Sequence, residues 1–223
     1  MQPLVRMMFF IDFWNYELTM KEFEPEFLTD WFSLPKAIKA ACASLIDDPV
    51  EYERCFIFGS YDPKSSSDIK LRSWANTVLA KIPGVSVSFV PRQQKTQGPH
   101  CNSEEHHEIK ECPICGASLL GTQEKGVDTQ IVTEMLDMGF SRRCDAVVLV
   151  SADKDFVPAV EKLANNSIKV IHAYFPNHGS DPMLQLSIEL SWQKLILTVT
   201  GYEFRLFYVI LMSEKDIPLP PPD

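Results

Sequence analysis

No stretch of this chain approaches the run of about eighteen apolar residues that a membrane-spanning helix needs. A basic balance is missing too: 21 Lys and Arg against 30 Asp and Glu leave a net charge of −9 at pH 7. That excludes a protein coated in basic surface that grips duplex DNA everywhere, but not a nuclease with one local basic track beside an acidic metal site. Met1 to Arg6 has neither the basic nor the apolar region of a secretory leader, so a cytoplasmic, reducing location is expected. There the six cysteines read as core residues or metal ligands, not as a disulfide framework. Internal repeats are absent, as is any Gly-rich loop followed by Lys-Ser/Thr, so an ATPase has no phosphate cradle here.

What is present is organised around Val147-Val148-Leu149-Val150-Ser151-Ala152-Asp153-Lys154-Asp155-Phe156. A continuous β-branched run without alternation reads as a strand buried on both faces. Phe156, Val160 and Leu163 then recur at helical spacing, so two carboxylates stand where a central strand hands over to a helix. In open α/β sheets that edge is where ligands bind. The plain alternative makes Asp155 a helix N-cap and Asp153 a solvated loop residue.

Around it, strands are expected at Val5 to Ile11, Arg54 to Ser60, Val85 to Val90 and Ile168 to Tyr174. Residues 16 to 34 mix acids and aromatics without a clear period and read as a long loop with at most a short helix. Pro35 opens a helix whose inward stripe is Ile38, Ala41, Cys42 and Leu45, and Cys55 and Cys144 are placed in the core. Ser65 to Asp68 supplies N-cap chemistry for a helix burying Ile69, Trp74, Val78 and Leu79. A further helix from Val127 buries Ile131, Met135 and Met138 and ends at Gly139, with Asp128 on the same face. An amphipathic helix is expected at Met183 to Leu190, followed by apolar segments at Leu195 to Thr200 and Phe204 to Met212 that form a hairpin or a helix and strand. Alternating strands and helices imply a three-layer α/β sandwich on a mostly parallel sheet. One domain over residues 1–212, interrupted at 91–121, and a Pro-rich tail over 213–223 complete the layout.

The interruption is poor in aliphatic side chains yet carries His100, Cys101, His106, His107, Cys112 and Cys115. So long a loop without a core needs a staple, and a metal would supply it. Cys112-Pro113-Ile114-Cys115-Gly116 has zinc-knuckle spacing. Cys101 is the third expected ligand to a structural Zn²⁺; His107 is taken as the fourth, though His106 and His100 are not separable from it. The plain alternative is a reduced, metal-free loop.

Asp12 follows the first strand, Asp128 begins a helix, and Asp153 and Asp155 follow the central strand. Parallel strands would bring all four to one sheet edge, where they repel unless Mg²⁺ or Mn²⁺ neutralises them. Such ions polarise a phosphoryl oxygen and activate water for phosphodiester hydrolysis. A haloacid-dehalogenase-type phosphatase would want an Asp two residues after Asp12, where Trp14 stands.

Phe10-Ile11-Asp12-Phe13-Trp14-Asn15, Glu124-Lys125-Gly126-Val127-Asp128 and Ser151-Ala152-Asp153-Lys154-Asp155-Phe156 together resemble the three motifs of NYN domains, PIN-like ribonucleases of the bacterial LabA-like branch. The resemblance spans residues 5 to 190 and keeps the family's motif order. It implies a Rossmann-like PIN fold and a metal-dependent endoribonuclease acting on single-stranded or structured RNA. Asp12, Asp128, Asp153 and Asp155 would be both the catalytic and the Mg²⁺/Mn²⁺-binding acids. Asn15 would orient the first acid or contact a phosphate, and Ser151 would brace the acidic loop beside the substrate. Ala152 departs from the family's usual Gly, which leaves the acids in place. Of the basic residues, Lys125 and Arg92 are the candidates for touching phosphate, and Trp14 or Tyr16 for stacking on a base. The rival reading is a non-catalytic RNA- or protein-binding module on the same fold. The oligomeric state stays open, a homodimer included.

Overall fold

The computed structural model describes residues 4–23, 25–26, 28–43, 46, 48–96, 98, 110–116, 118–174 and 195–198. Strands β1 (Val5–Asp12), β2 (Val50–Tyr61), β3 (Val85–Pro91), β6 (Ala146–Val150), β7 (Lys169–Tyr174) and β8 (Leu195–Thr198) form one six-stranded sheet. Its order is β3-β2-β1-β6-β7-β8, and every neighbouring pair is parallel. The expected three-layer α/β architecture is what the chain builds. Two residue-pair strands, β4 (Gln93–Gln94) and β5 (Thr122–Gln123), form a separate antiparallel ladder.

The alternation along β1 divides the core. Val5, Met7, Phe9 and Ile11 face the side covered by α1 (Phe13–Phe23), α2 (Leu34–Ala43) and α3 (Ser66–Thr77). Met8 and Phe10 face α4 (Val127–Phe140) and α5 (Val157–Ala164) on the other. Strand β6 is buried at all five positions, as an apolar run without alternation demands. The connections from β1 through β3 step outward on one side of β1, whereas β6 and β7 lie on its other side. A topological switch point therefore falls between β1 and β6, where such sheets open a crevice at the carboxyl ends of their strands.

Several expectations change in detail. Residues 13–23 form a full helix where a loop was expected from residue 16 onward. Phe13, Tyr16 and Met20, at i, i+3 and i+7, are its buried stripe, disguised by the additional apolar residues Trp14 and Leu18. Helix α3 has the expected Ser65 N-cap, whose hydroxyl accepts from the Asp68 amide at 3.3 Å. Its inward side is Leu71, Trp74 and Ala75, while Ile69 is 49% and Val78 38% exposed. Leu45, Met183 to Leu190, Phe204 to Met212 and the Pro-rich tail lie outside the described residues, and with them the expected pairing of the two last apolar segments; Leu195–Thr198 is a strand that pairs parallel to β7.

Gly139 does not end α4; it is buried inside the last turn. A Cβ there would stand 2.5 Å from Leu163 Cδ2 and 2.9 Å from Ile168 Cδ1, both in the core under α5. Ala would gain about 1 kcal/mol in helix propensity. Overpacking a filled core costs about 1–3 kcal/mol and should win. Gly139→Ala is thus expected to lower the urea midpoint; a raised midpoint would show that α5 can retreat freely.

Candidate metal and nucleic-acid site

Three of the four predicted acids come together. Oxygen atoms of Asp128, Asp153 and Asp155 all lie within 4.8 Å of one another. Local structure places each of them. Gly126 sits at φ +90° just before α4, a left-handed conformation that a side chain would strain, and it starts the helix so that Asp128 falls in its first turn. Past β6, Asp153 caps a short 3₁₀ turn (Lys154–Phe156), its carboxylate accepting from the Asp155 amide at 2.9 Å. The capping role expected of Asp155 belongs to Asp153.

Asp12 ends β1 next to this triad but is buried, only 7% exposed. Its carboxylate accepts from the Asn15 amide at 3.2 Å and from the Ser151 hydroxyl at 3.3 Å. Burial raises its pKa to about 6, opposed by the Asn15 amide and reinforced by the charges of Glu124 and Asp128. Asp128 is raised as well, first by burial and then by Asp153, Glu124 and Asp155. Acids that press one another toward the protonated state are a donor set that a hard divalent cation fits, since it cancels the repulsion and takes oxygen ligands.

Asn15 and Ser151 are bound into the frame rather than turned outward. The Asn15 side-chain carbonyl accepts from the Ala152 amide at 2.9 Å, tying the ends of β1 and β6 together. Ser151 is 2% exposed, and its hydroxyl also accepts from the Asp153 amide at 3.2 Å. Behind it His172 on β7 donates from Nε2 to the Ser151 carbonyl. Burial holds the His172 pKa down to about 4, so the ring is neutral near pH 7. The register Leu149↔His172 brings it there.

Glu124, which opens the second motif, joins the site although its spacing alone does not single it out. It accepts from the Ser60 hydroxyl at the end of β2, and its charge reaches both Asp12 and Asp128. Arg92 joins the same network: its Nε donates to Ser60 Oγ at 2.9 Å, and its guanidinium lies 5.2 Å from the Trp14 ring centroid. Lys125 is exposed beside Glu124. Tyr16 is 1% exposed and belongs to the core, so only Trp14 of the stacking pair is accessible.

In the interruption, β4 and β5 make a neck, closed by the Lys95 amide on the Gly121 carbonyl at 2.9 Å. The strand leaving that neck runs directly into Glu124 and Asp128. At Cys112-Pro-Ile-Cys115, the amides of Cys115 and Ile114 point at the Cys112 sulfur and lower its pKa. The Gly116 amide closes the turn on the Cys112 carbonyl at 2.8 Å. Cys101, His100, His106 and His107 lie outside the described residues. Arg142 stands with Arg6 and Asp145 at the opposite end of the sheet.

A family model described as the NYN domain matches residues 6–187. No curated protein matches the chain. Among solved structures, a protein of unknown function from Vibrio parahaemolyticus RIMD 2210633 is 17% identical, with a TM-score of 0.49 over 87% of this chain and 94% of that one. Among the described residues no helix is long and apolar enough to cross a membrane.

Proposed function

The chain belongs to the NYN domain family, a family of PIN-like nucleases, and from that premise we propose that it is a metal-dependent endoribonuclease of the LabA-like branch, acting in the cytoplasm. The observation that carries the reading is the Asp128–Asp153–Asp155 triad at the switch point, with Asp12 beside it. Those four acids would hold Mg²⁺ or Mn²⁺, which when bound supplies charge neutralisation at phosphate and a water of lowered pKa. The protein's own part is placement. Asn15 and Ser151 lock the β1 and β6 ends together, so the acids keep their spacing without substrate. Arg92 and Lys125 are the groups proposed to meet the phosphate backbone. Cleavage of a labelled mixed-sequence RNA in Mn²⁺, Mg²⁺ and no added metal tests the assignment. Metal-dependent cutting supports it; no cutting by folded protein favours a binding module on the same fold.

We further propose that Cys112 and Cys115 bind a structural Zn²⁺ with Cys101 and His107. The support is the amide-lined sulfur of Cys112, a geometry that stabilises a thiolate before any ion arrives. Purified protein is expected to carry about one zinc per chain by elemental analysis, falling to near zero in Cys112→Ser. Equal zinc in both would remove the assignment.

A further inference from the structure

We infer that a pocket adjoining the acidic site receives one unpaired nucleobase of the substrate strand, so that the protein selects single-stranded RNA over duplex. Naming the ligand as RNA rests on the nuclease reading; the pocket itself does not. It has a volume of about 420 Å³ and lies between α1, α3 and the segment leading to Trp31. Pockets of about 300–1,000 Å³ are those that hold small ligands, so a planar heterocycle with its ribose fits.

Three of the chain's four tryptophans wall it: Trp14, Trp31 and Trp74. Trp31 and Trp74 meet edge to face at 6.4 Å, and Phe13 stacks on Trp31 at 5.5 Å and meets Trp14 edge to face at 5.2 Å. A rigid aromatic wall of this kind binds a base face at little entropic cost. The polar lining is Glu17, Asp68, Lys21, Thr29 and Ser67, with Lys21 drawn to Glu17 at 3.9 Å, so the two carboxylates outweigh the one cation. Carboxylates accept hydrogen bonds, which suits the N–H edge of a base and repels a phosphate. A base therefore enters while its phosphate stays outside, on the side where Arg92 covers the Trp14 ring.

Trp14 links the pocket to the acids. Trp14 lies two residues beyond Asp12, and its indole N–H donates to the Ser60 carbonyl at 2.7 Å. The hydroxyl of that serine donates to Glu124, whose charge acts on Asp12 and Asp128. A strand with one base seated against Trp14 would thus lay its backbone toward the triad. In a duplex the same base is stacked and paired, and extracting it costs a few kcal/mol.

Tryptophan fluorescence reads the pocket without catalysis. Adenosine monophosphate, titrated with no added divalent metal, is expected to quench the wild type saturably, and Asp153→Asn equally. Trp74→Ala should weaken that binding at least about five-fold, the low end for loss of one stacked base. Because Trp74 also packs on the core, Leu28→Asp is the second variant: Leu28 lines the pocket yet is 85% exposed, so folding does not depend on it. It too should weaken quenching. In cleavage assays, annealing the oligonucleotide to its complement should slow cutting at least about ten-fold. Quenching lost in Leu28→Asp with no RNA cut under any condition would uphold the pocket and sink the nuclease. No saturable quenching, or quenching unchanged in both variants, would overturn the pocket whatever the cleavage result.

Discussion

Asp153→Asn is expected to reduce metal-dependent RNA cleavage by about 10³-fold or more while leaving the melting temperature nearly unchanged. Rate loss follows from charge: the substitution takes one of three mutually close carboxylates from the proposed cation site, and metal stabilisation of a phosphoryl transition state is worth several kcal/mol, each 1.36 being ten-fold. The fold is spared for a separate reason. Asp153 caps the turn into α5 through an oxygen that accepts from the Asp155 amide, and Asn caps equally well through its own carbonyl. Removing one like charge from beside Asp128 and Asp155 also relieves repulsion. The comparison is single-turnover cleavage in Mn²⁺ alongside thermal melts of both proteins. Full activity in the variant would end the assignment; lost activity with a collapsed melt would make Asp153 a structural cap.

Where sequence sufficed, local pattern and global burial coincide. The unalternating run Val147 to Val150 has to be a central strand, and the Val127, Ile131, Met135, Met138 stripe has to face a core; both do. Asp12, Asp128, Asp153 and Asp155 were legible because each sits at an element boundary, and parallel order carries such boundaries to one edge. Helix α1 was hidden because Trp14, which packs on the edge of the core and lines the pocket, and Leu18, 56% exposed, add apolar residues off the Phe13–Tyr16–Met20 stripe. Glu124 was hidden differently. Its proximity to Asp12 runs through Ser60 on β2, a contact across the sheet that no local spacing announces. His172 lies in an apolar run and reads as a core histidine until the β6–β7 register sets it against the Ser151 carbonyl. The neck of the interruption has only Gln-Gln and Thr-Gln, too short and too polar for any alternation to mark it.

Asp12→Asn is expected to stabilise the protein in the absence of added Mg²⁺ or Mn²⁺ and to abolish its activity. Burial and the neighbouring acids raise the Asp12 pKa from 3.8 to about 6 in the folded state. Between those values the folded protein binds a proton that the unfolded chain has released, so protonation favours the fold. Stability from this group is therefore full below about pH 4 and is lost as pH rises through 6, a loss of up to about 3 kcal/mol at neutral pH. Asn has no charge to bury. Its carbonyl can still accept from the Asn15 amide, and its amide can donate to Ser151 Oγ, which reverses the wild-type bond but keeps the contact. Urea titrations at pH 5 and 7.5, on protein dialysed free of Mg²⁺ and Mn²⁺, should show the wild type losing stability toward pH 7.5 and the variant losing markedly less. Added Mn²⁺ should then raise the wild-type midpoint and leave that of Asp12→Asn nearly where it was. Parallel pH dependence in the two proteins would mean that the buried carboxylate is not the source of the instability. A gain in stability matched by a loss of cleavage would identify Asp12 as a group that destabilises the metal-free fold and is needed for its chemistry.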